Sequence, residues 1–276
     1  MEIPLDILKL IATFLIIPKM KLLDWIDEDE LDINGLSDNP NAIQLLETLS
    51  QDPEEFEMID WYSLSGNPGA IRMLEANCDM IEWSFLSMNP NALHMLEANP
   101  EEIDWSCLSK NPNALHILEA NPEKIDWYNL SQNPNAIHML EIVLQHDPDK
   151  INWSYLSGNP NALHILEIVL QHNPEKIDWD MLSENPNAIH MLEANPEKIN
   201  WDWLSQNPNA IHILEANPEK INWNGLSGNP NAIHILEANQ DKIGCNLSMN
   251  PSIFEIDRKQ YNIDIIKKTN TLDMFI

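Results

Sequence analysis

Seven histidines recur at one position of a repeated motif, and imidazole is a side chain suited to metal binding. Each is followed three positions later by a glutamate, as in His116 and Glu119, and imidazole with carboxylate binds several transition metals. However, helices in neighbouring repeats would lie ~8–10 Å apart, whereas metal–ligand bonds are ~2 Å long. One ion could not bridge two repeats. We therefore predict no metal and no cofactor, but an exposed row of histidines paired with carboxylates, the histidine row: His94, His116, His138, His164, His190, His212 and His234.

No enzyme motif stands out elsewhere. The chain contains no GxSxG, no P-loop and no HExxH sequence, and these are short motifs with a known catalytic mechanism. Catalysis also needs one irregular pocket, whereas a repeated sequence gives a uniform surface. We predict that the protein is not an enzyme and has no catalytic residues.

Most of the chain is one repeated unit, as in KIDWYNLSQNPNAIHML at 124–140. Successive tryptophans of the unit are 22, 22, 22, 26, 26, 22 and 22 residues apart. Ile33 and Cys245 take the tryptophan position in a first and a last copy, so ten copies cover about 31–256. A fixed period in this range is typical of a solenoid. The tryptophans are predicted to form a ladder that is the spine of the core: Trp61, Trp83, Trp105, Trp127, Trp153, Trp179, Trp201 and Trp223.

Two copies carry a four-residue insert, in LEIVLQHDPDKI and LEIVLQHNPEKI. Four residues are close to one helical turn, so the segment before each insert is predicted to be a helix. Both Asn-Pro steps of the unit are interpreted as helix starts. The prediction is an all-α protein, a right-handed-type α-solenoid of about ten 22–26-residue helix-pair repeats with N- and C-terminal caps. It would form a curved rod on the order of 80–100 Å long. The alternative is a leucine-rich-repeat-like α/β solenoid.

The positions after each tryptophan vary while the rest of the unit is nearly constant. In repeat arrays such positions line one face and select the partner, although unconstrained solvent exposure would give the same pattern. The candidate partner face is Phe85, Lys110, Tyr128, Tyr155, Met181, Glu184 and Trp203.

The chain divides into residues 1–30, 31–256 and 257–276, of which the last is predicted to be a C-terminal cap. The N-terminal segment resembles the start of an F-box, at Ile3, Pro4, Asp6, Ile7, Leu8, Ile11, Phe14 and Leu15. In that family the segment docks on the Skp1 adaptor of a ubiquitin ligase, and downstream repeats hold the substrate. The match covers about a tenth of the chain, and the first repeat begins before a full F-box is complete. A helical cap on the first repeat would show the same apolar spacing.

The whole arrangement resembles tandem-repeat proteins of giant, mimivirus-like DNA viruses of amoebae. The resemblance rests on the unit LSxNPNAIHxLEANPEKIDW and on the ending NPSIFEID at 250–257, and it implies a role in host interaction. Our first hypothesis for function is a non-enzymatic scaffold that binds a protein. The alternatives are an F-box-like adaptor that brings a substrate to a Skp1-type ligase, and an acidic decoy that mimics DNA.

The net charge of −29 argues against nucleic acid and anionic membranes as partners and favours basic proteins.

The three cysteines form no CxxC pair, which indicates a reducing compartment. The apolar N-terminal run lacks the basic start and cleavage site of a signal peptide. We predict a cytoplasmic or nuclear protein of the host cell that is not secreted.

Overall fold

The computed structural model describes residues 4–273. Each repeat contains a short helix that begins at the tryptophan position, the Trp helix, and a second helix that carries the histidine position, the His helix. The Trp helices are α2 (Ile33–Asp38), α5 (Trp61–Gly66), α7 (Trp83–Met88), α9 (Trp105–Lys110), α11 (Trp127–Leu130), α13 (Trp153–Gly158), α15 (Trp179–Glu184), α17 (Trp201–Leu204), α19 (Trp223–Gly228) and, in the tenth copy, a 3-10 helix at Cys245–Met249.

The His helices follow after a tight turn. They are α3 (Ile43–Leu49), α6 (Ile71–Ala76), α8 (Leu93–Ala98), α10 (Leu115–Ala120), α12 (Ile137–His146), α14 (Leu163–His172), α16 (Ile189–Ala194), α18 (Ile211–Ala216) and α20 (Ile233–Glu237). The two inserts extend α12 and α14 to ten residues, with Val143 buried one turn after Leu140. The all-α solenoid of about ten helix-pair repeats is therefore confirmed.

Short 3-10 helices connect each His helix to the next Trp helix. They are Cys78–Met80, Pro100–Glu102, Pro122–Lys124, Pro148–Lys150, Pro174–Lys176, Pro196–Lys198, Pro218–Lys220 and Gln240–Lys242, with α4 (Pro53–Met58) in the first copy. A leucine-rich repeat needs a strand in every unit, but the described units contain helices and turns at these places.

The prediction that both Asn-Pro steps start helices is wrong for the first step, and the helix at the second step is a 3-10 helix. The first step opens a turn, and the His helix starts four residues later, as at Leu115 after Asn111. The second step begins a 3-10 helix. The Trp helix is instead capped by the Asp or Asn before the tryptophan, as where the Asp104 carboxylate accepts from the Cys107 N–H at 2.9 Å. This cap satisfies an N–H that the first helical turn leaves unpaired.

Leucine and alanine fill the centre of the core. Leu108, Ala114 and Leu118 of one copy are fully buried, and the equivalent residues of the other central copies are as well. The tryptophans lie at the core edge: Trp61 is buried, and the other seven are half-buried. A lysine of the next copy covers five of them, as where Lys124 Nζ lies 4.4 Å from the Trp105 ring centroid. The tryptophan ladder is thus the boundary of the core, not its spine.

Because of this placement, a core leucine should contribute more to stability than the neighbouring tryptophan. Leu130→Ala is expected to cost about 3–4 kcal/mol, because it leaves a cavity at a site with no exposed surface. Trp127→Ala should cost less, about 2 kcal/mol, because the half-buried indole is replaced partly by water. Urea unfolding of both variants checks the order, and a larger loss for Trp127→Ala would contradict it.

A ladder of buried asparagines joins each copy to the preceding one. The Asn111 side chain has no exposed surface. Its Nδ2 donates to Ser87 O at 3.0 Å and to Asn89 O at 2.9 Å, and its Oδ1 accepts from Asn113 N. The asparagine ladder has ten members: Asn39, Asn67, Asn89, Asn111, Asn133, Asn159, Asn185, Asn207, Asn229 and Asn250.

The ladder has no free end, because the first copy bonds to the last. Asn39 Nδ2 donates to Ser248 O and Asn250 O, both at 2.9 Å. Asn41 Nδ2 donates to Pro251 O at 2.8 Å, and Asp32 N to Ser248 Oγ at 2.8 Å. These bonds repeat those between any two inner copies. The predicted open rod is therefore wrong, and the ten units form a closed ring whose joint we call the seam.

The two chain ends meet next to the seam. Strand β1 (Met20–Leu22) pairs antiparallel with β2 (Phe254–Ile256) in a two-stranded sheet, with Lys21 opposite Glu255. Helix α1 (Leu5–Leu15) packs along α21 (Arg258–Asp273). Between residues 4 and 273 no helix is long and apolar enough to cross a membrane.

Candidate functional site

The Trp helices line the inside of the ring. Most successive Trp helices are in close backbone contact, whereas successive His helices contact each other much less. In a closed ring the elements nearer the axis lie closer together, so the Trp helices are inner and the His helices outer. Lys110 confirms the tight inner spacing, because its Nζ passes one whole unit to lie 5.7 Å from the Tyr155 ring centroid.

The variable positions of each Trp helix face away from the core. In α9, Leu108 and Ser109 are fully buried. Ser106, Cys107 and Lys110 lie on the opposite side of the helix by the 100° step between residues. The same three positions in all ten units form a surface that we call the inner wall. At a helix spacing of about 8 Å, ten units would enclose an opening about 15 Å wide, enough for an extended peptide or a single helix.

The candidate partner face lies on the inner wall, and neighbouring units bring its residues together. Tyr128 is 59% exposed, and its ring centroid lies 5.2 Å from that of Tyr155. Tyr62, which the sequence prediction did not include, is 55% exposed and makes the same contact with Phe85 at 5.7 Å. Six of the seven predicted positions are half-buried: Phe85, Lys110, Tyr155, Met181, Glu184 and Trp203.

At one place neighbouring inner-wall residues are matched in size. A Cβ at Gly158 would lie 3.1 Å from Met181 Cε, which is tighter than an ordinary contact. The glycine of one unit thus accommodates the methionine of the next. Part of the variation at these positions is therefore explained by packing between units, a pairing that sequence reasoning did not consider.

Carboxylates lie on the same wall in two neighbouring units. Asp180 and Asp202 are exposed, and each accepts a hydrogen bond from an asparagine of the next unit, Asn200 at 2.8 Å and Asn222 at 2.7 Å. Glu184 is half-buried, and burial raises the pKa of its carboxyl. None of the basic side chains that the structure describes pairs with these three carboxylates. They give this part of the wall an uncompensated negative charge.

The histidine row lies on the outer surface, where each histidine pairs with a glutamate of the preceding unit. His116 Nε2 lies 3.2 Å from Glu97 Oε1, and His164 Nε2 lies 2.8 Å from Glu141 Oε1. In all seven pairs both side chains are about half exposed or more. Sequence reasoning placed histidine beside carboxylate but did not identify the glutamate as that of the previous unit. Among residues 4–273, no group of three or more potential ligands is arranged to hold a metal.

In the first copy Gln44 replaces the histidine, and the structure explains this change. Gln44 Oε1 accepts from Met20 N, and its Nε2 donates to Pro18 O, both at 3.1 Å. The glutamine amide therefore fixes the N-terminal segment as it approaches β1. A side chain with both a donor and an acceptor at its tip suits two backbone partners.

The F-box-like residues lie in and next to α1, which leads through β1 directly to the ring. Leu8 is buried, whereas Ile7, Ile11, Phe14 and Leu15 are exposed, as is Pro4. Ile3 and the side chain of Asp6 lie outside the described part of the chain.

No family model, curated protein or solved structure matches this chain.

Proposed function

We propose that the protein is a non-enzymatic binding ring whose inner wall holds a segment of a partner protein. One observation carries the proposal. The positions that vary between units lie together on the inner wall, whereas the nearly constant residues form the core, the caps and the asparagine ladder. A repeat protein that binds through one face conserves its framework and varies that face.

The inner wall has the composition of a protein-binding surface. Exposed tyrosines provide large contact areas at low cost in conformational entropy, as in other binding sites. The carboxylates Asp180 and Asp202, which form no ion pair with the described basic side chains, favour a partner with basic side chains. The resemblance to viral repeat proteins supports a host protein as that partner.

A random twelve-residue peptide library, selected on the immobilised full-length chain, tests the proposal. We expect enriched peptides whose affinity falls at least about 10-fold in the double variant Tyr62→Ser with Tyr128→Ser, because exposed aromatic residues dominate such contacts. Both tyrosines are more than half exposed, so the ring should still fold, which circular dichroism checks.

The matched control is His116→Ser with His212→Ser on the outer surface, where both side chains are about 60% exposed. This change should leave the affinity within about two-fold. If no peptide is enriched, or if the outer variant weakens binding as much as the inner one, the proposal is wrong.

A further inference from the structure

Helix α1 has apolar side chains on two sides, of which one is buried and the other is exposed. Leu8 is 2% exposed and Ala12 is fully buried, one turn apart, on the helix that packs along α21. The opposite side carries Ile7, Leu10, Ile11 and Phe14, which we call the α1 stripe. Their spacing of three, four and seven residues places them on one face of the helix.

The α1 stripe is open to solvent. Its members are 46%, 52%, 36% and 81% exposed for Ile7, Leu10, Ile11 and Phe14. Contiguous exposed apolar patches mark interaction sites. Ile263 and Ile266 of α21, the helix that packs along α1, are also exposed.

The distribution of charge indicates which part of the molecule could contact a second copy. The ring, residues 31–256, contains 8 basic and 34 acidic residues and so has a net charge of −26. Two copies that met through their rings would repel each other strongly. In contrast, α1 and α21 together contain five basic and three acidic residues, for a net charge of +2. The exposed apolar patch therefore coincides with the part of the molecule where charge opposes contact with a second copy least.

We propose that the α1 stripe packs against the α1 stripe of a second copy to form a two-fold symmetric dimer. Leu10 and Ile11 would lie near the axis, and Phe14 of each copy would contact Ile7 of the other, since a two-fold interface is self-complementary. The four residues of the α1 stripe expose a surface on the order of 450 Å² per copy, which suits a weak, reversible dimer. The basic side chains of α21 would lie at the rim, close to the acidic ring of the other copy.

Sedimentation equilibrium of the full chain between about 1 and 200 µM tests the dimer. We expect a mass of twice 31.7 kDa at the upper concentration. The double variant Leu10→Ser with Phe14→Ser should raise the dissociation constant at least about 100-fold, because it removes the centre and both ends of the contact. Both residues are exposed, so the monomer should retain its fold and its urea midpoint.

The control variant is Ile142→Ser with Ile168→Ser, which removes two equally exposed apolar residues, 57% and 60%, from His helices of the ring. It should leave the dissociation constant within about three-fold. A full chain that is monomeric at 200 µM would overturn the proposal, as would a stripe variant that dimerises like the intact chain. A monomer that binds a purified Skp1-type adaptor through the α1 stripe would also overturn it and would assign the stripe to that adaptor.

Discussion

A chain that ends at Ile243 is expected to lose hydrogen-exchange protection in its first repeat, at the other end of the sequence. The truncation removes Ser248, Asn250 and Pro251, which accept the seam bonds of Asp32, Asn39 and Asn41. It also removes β2 and α21. Buried amides of residues 31–50 should then exchange at least about 100-fold faster, because their unit loses one of its two neighbours.

A matched truncation separates the seam from the terminal helices. A chain that ends at Asp257 lacks α21 but retains the seam and β2, and its first repeat should stay protected. In an open rod the first and last repeats would lie on the order of 80 Å apart. Neither truncation would then change the hydrogen-exchange protection of residues 31–50. Equal protection of these residues in both truncated chains would therefore contradict the closed ring.

The helices of the fold could be predicted because their signals are local. A four-residue insert keeps a helical face in register, and Val143 is buried as that argument requires. Ring closure, in contrast, depends on a rotation of one tenth of a turn between neighbouring units. No single residue specifies that rotation, which arises from the difference in spacing between the inner and outer helices.

The sequence nevertheless contains a signal for closure. The tenth copy lacks the tryptophan and one residue of the unit, but it retains Ser248, whose Oγ accepts from Asp32 N across the seam. The first copy likewise retains Asn39 and Asn41. A terminal repeat that faces solvent has no need of residues that bond to a further unit. Their presence in both terminal copies is explained by the seam.

The candidate site was predictable in position but not in detail. Variation between copies identified the inner-wall positions, because it can be read from one repetitive sequence. The contacts between these positions join different units, as Gly158 and Met181 show, and they follow from the curvature of the ring. Sequence reasoning also missed the role of the first asparagine of each NPN motif, because its hydrogen-bond partners are backbone atoms of the preceding unit.

Asn133→Ala is expected to reduce the free energy of unfolding by about 3–5 kcal/mol. The side chain is fully buried, donates to Ser109 O at 3.0 Å and Asn111 O at 2.8 Å, and accepts from Asn135 N at 3.0 Å. Alanine would leave Ser109 O and Asn135 N without these partners, whereas Asn111 O would keep its bond from Ala114 N. Each unpaired buried group costs ~1–3 kcal/mol. Urea unfolding followed by tryptophan fluorescence measures the loss.

Two further variants show whether the amide group itself is responsible. Asn135→Ala removes a single bond from an exposed side chain to Pro112 O at 2.9 Å, and it should cost about 1 kcal/mol or less. Asn133→Asp keeps the acceptor but turns a negative charge toward two carbonyl oxygens, so it should be more harmful than alanine at pH 7. Burial would raise the pKa of the new carboxyl, so this variant should regain stability relative to the intact chain as the pH falls toward 4.

The same substitution at Asn39 extends the measurement to the seam. Asn39 is fully buried, as Asn133 is, and its two donated bonds have the same geometry although they cross between the two ends of the sequence. Asn39→Ala should therefore destabilise the protein by about as much as Asn133→Ala, since each breaks one member of a continuous ladder. In an open array Asn39 would be the terminal member with no unit before it, and its loss would cost about 1 kcal/mol or less. A small effect at Asn39 beside a large one at Asn133 would keep the asparagine ladder but exclude the closed ring.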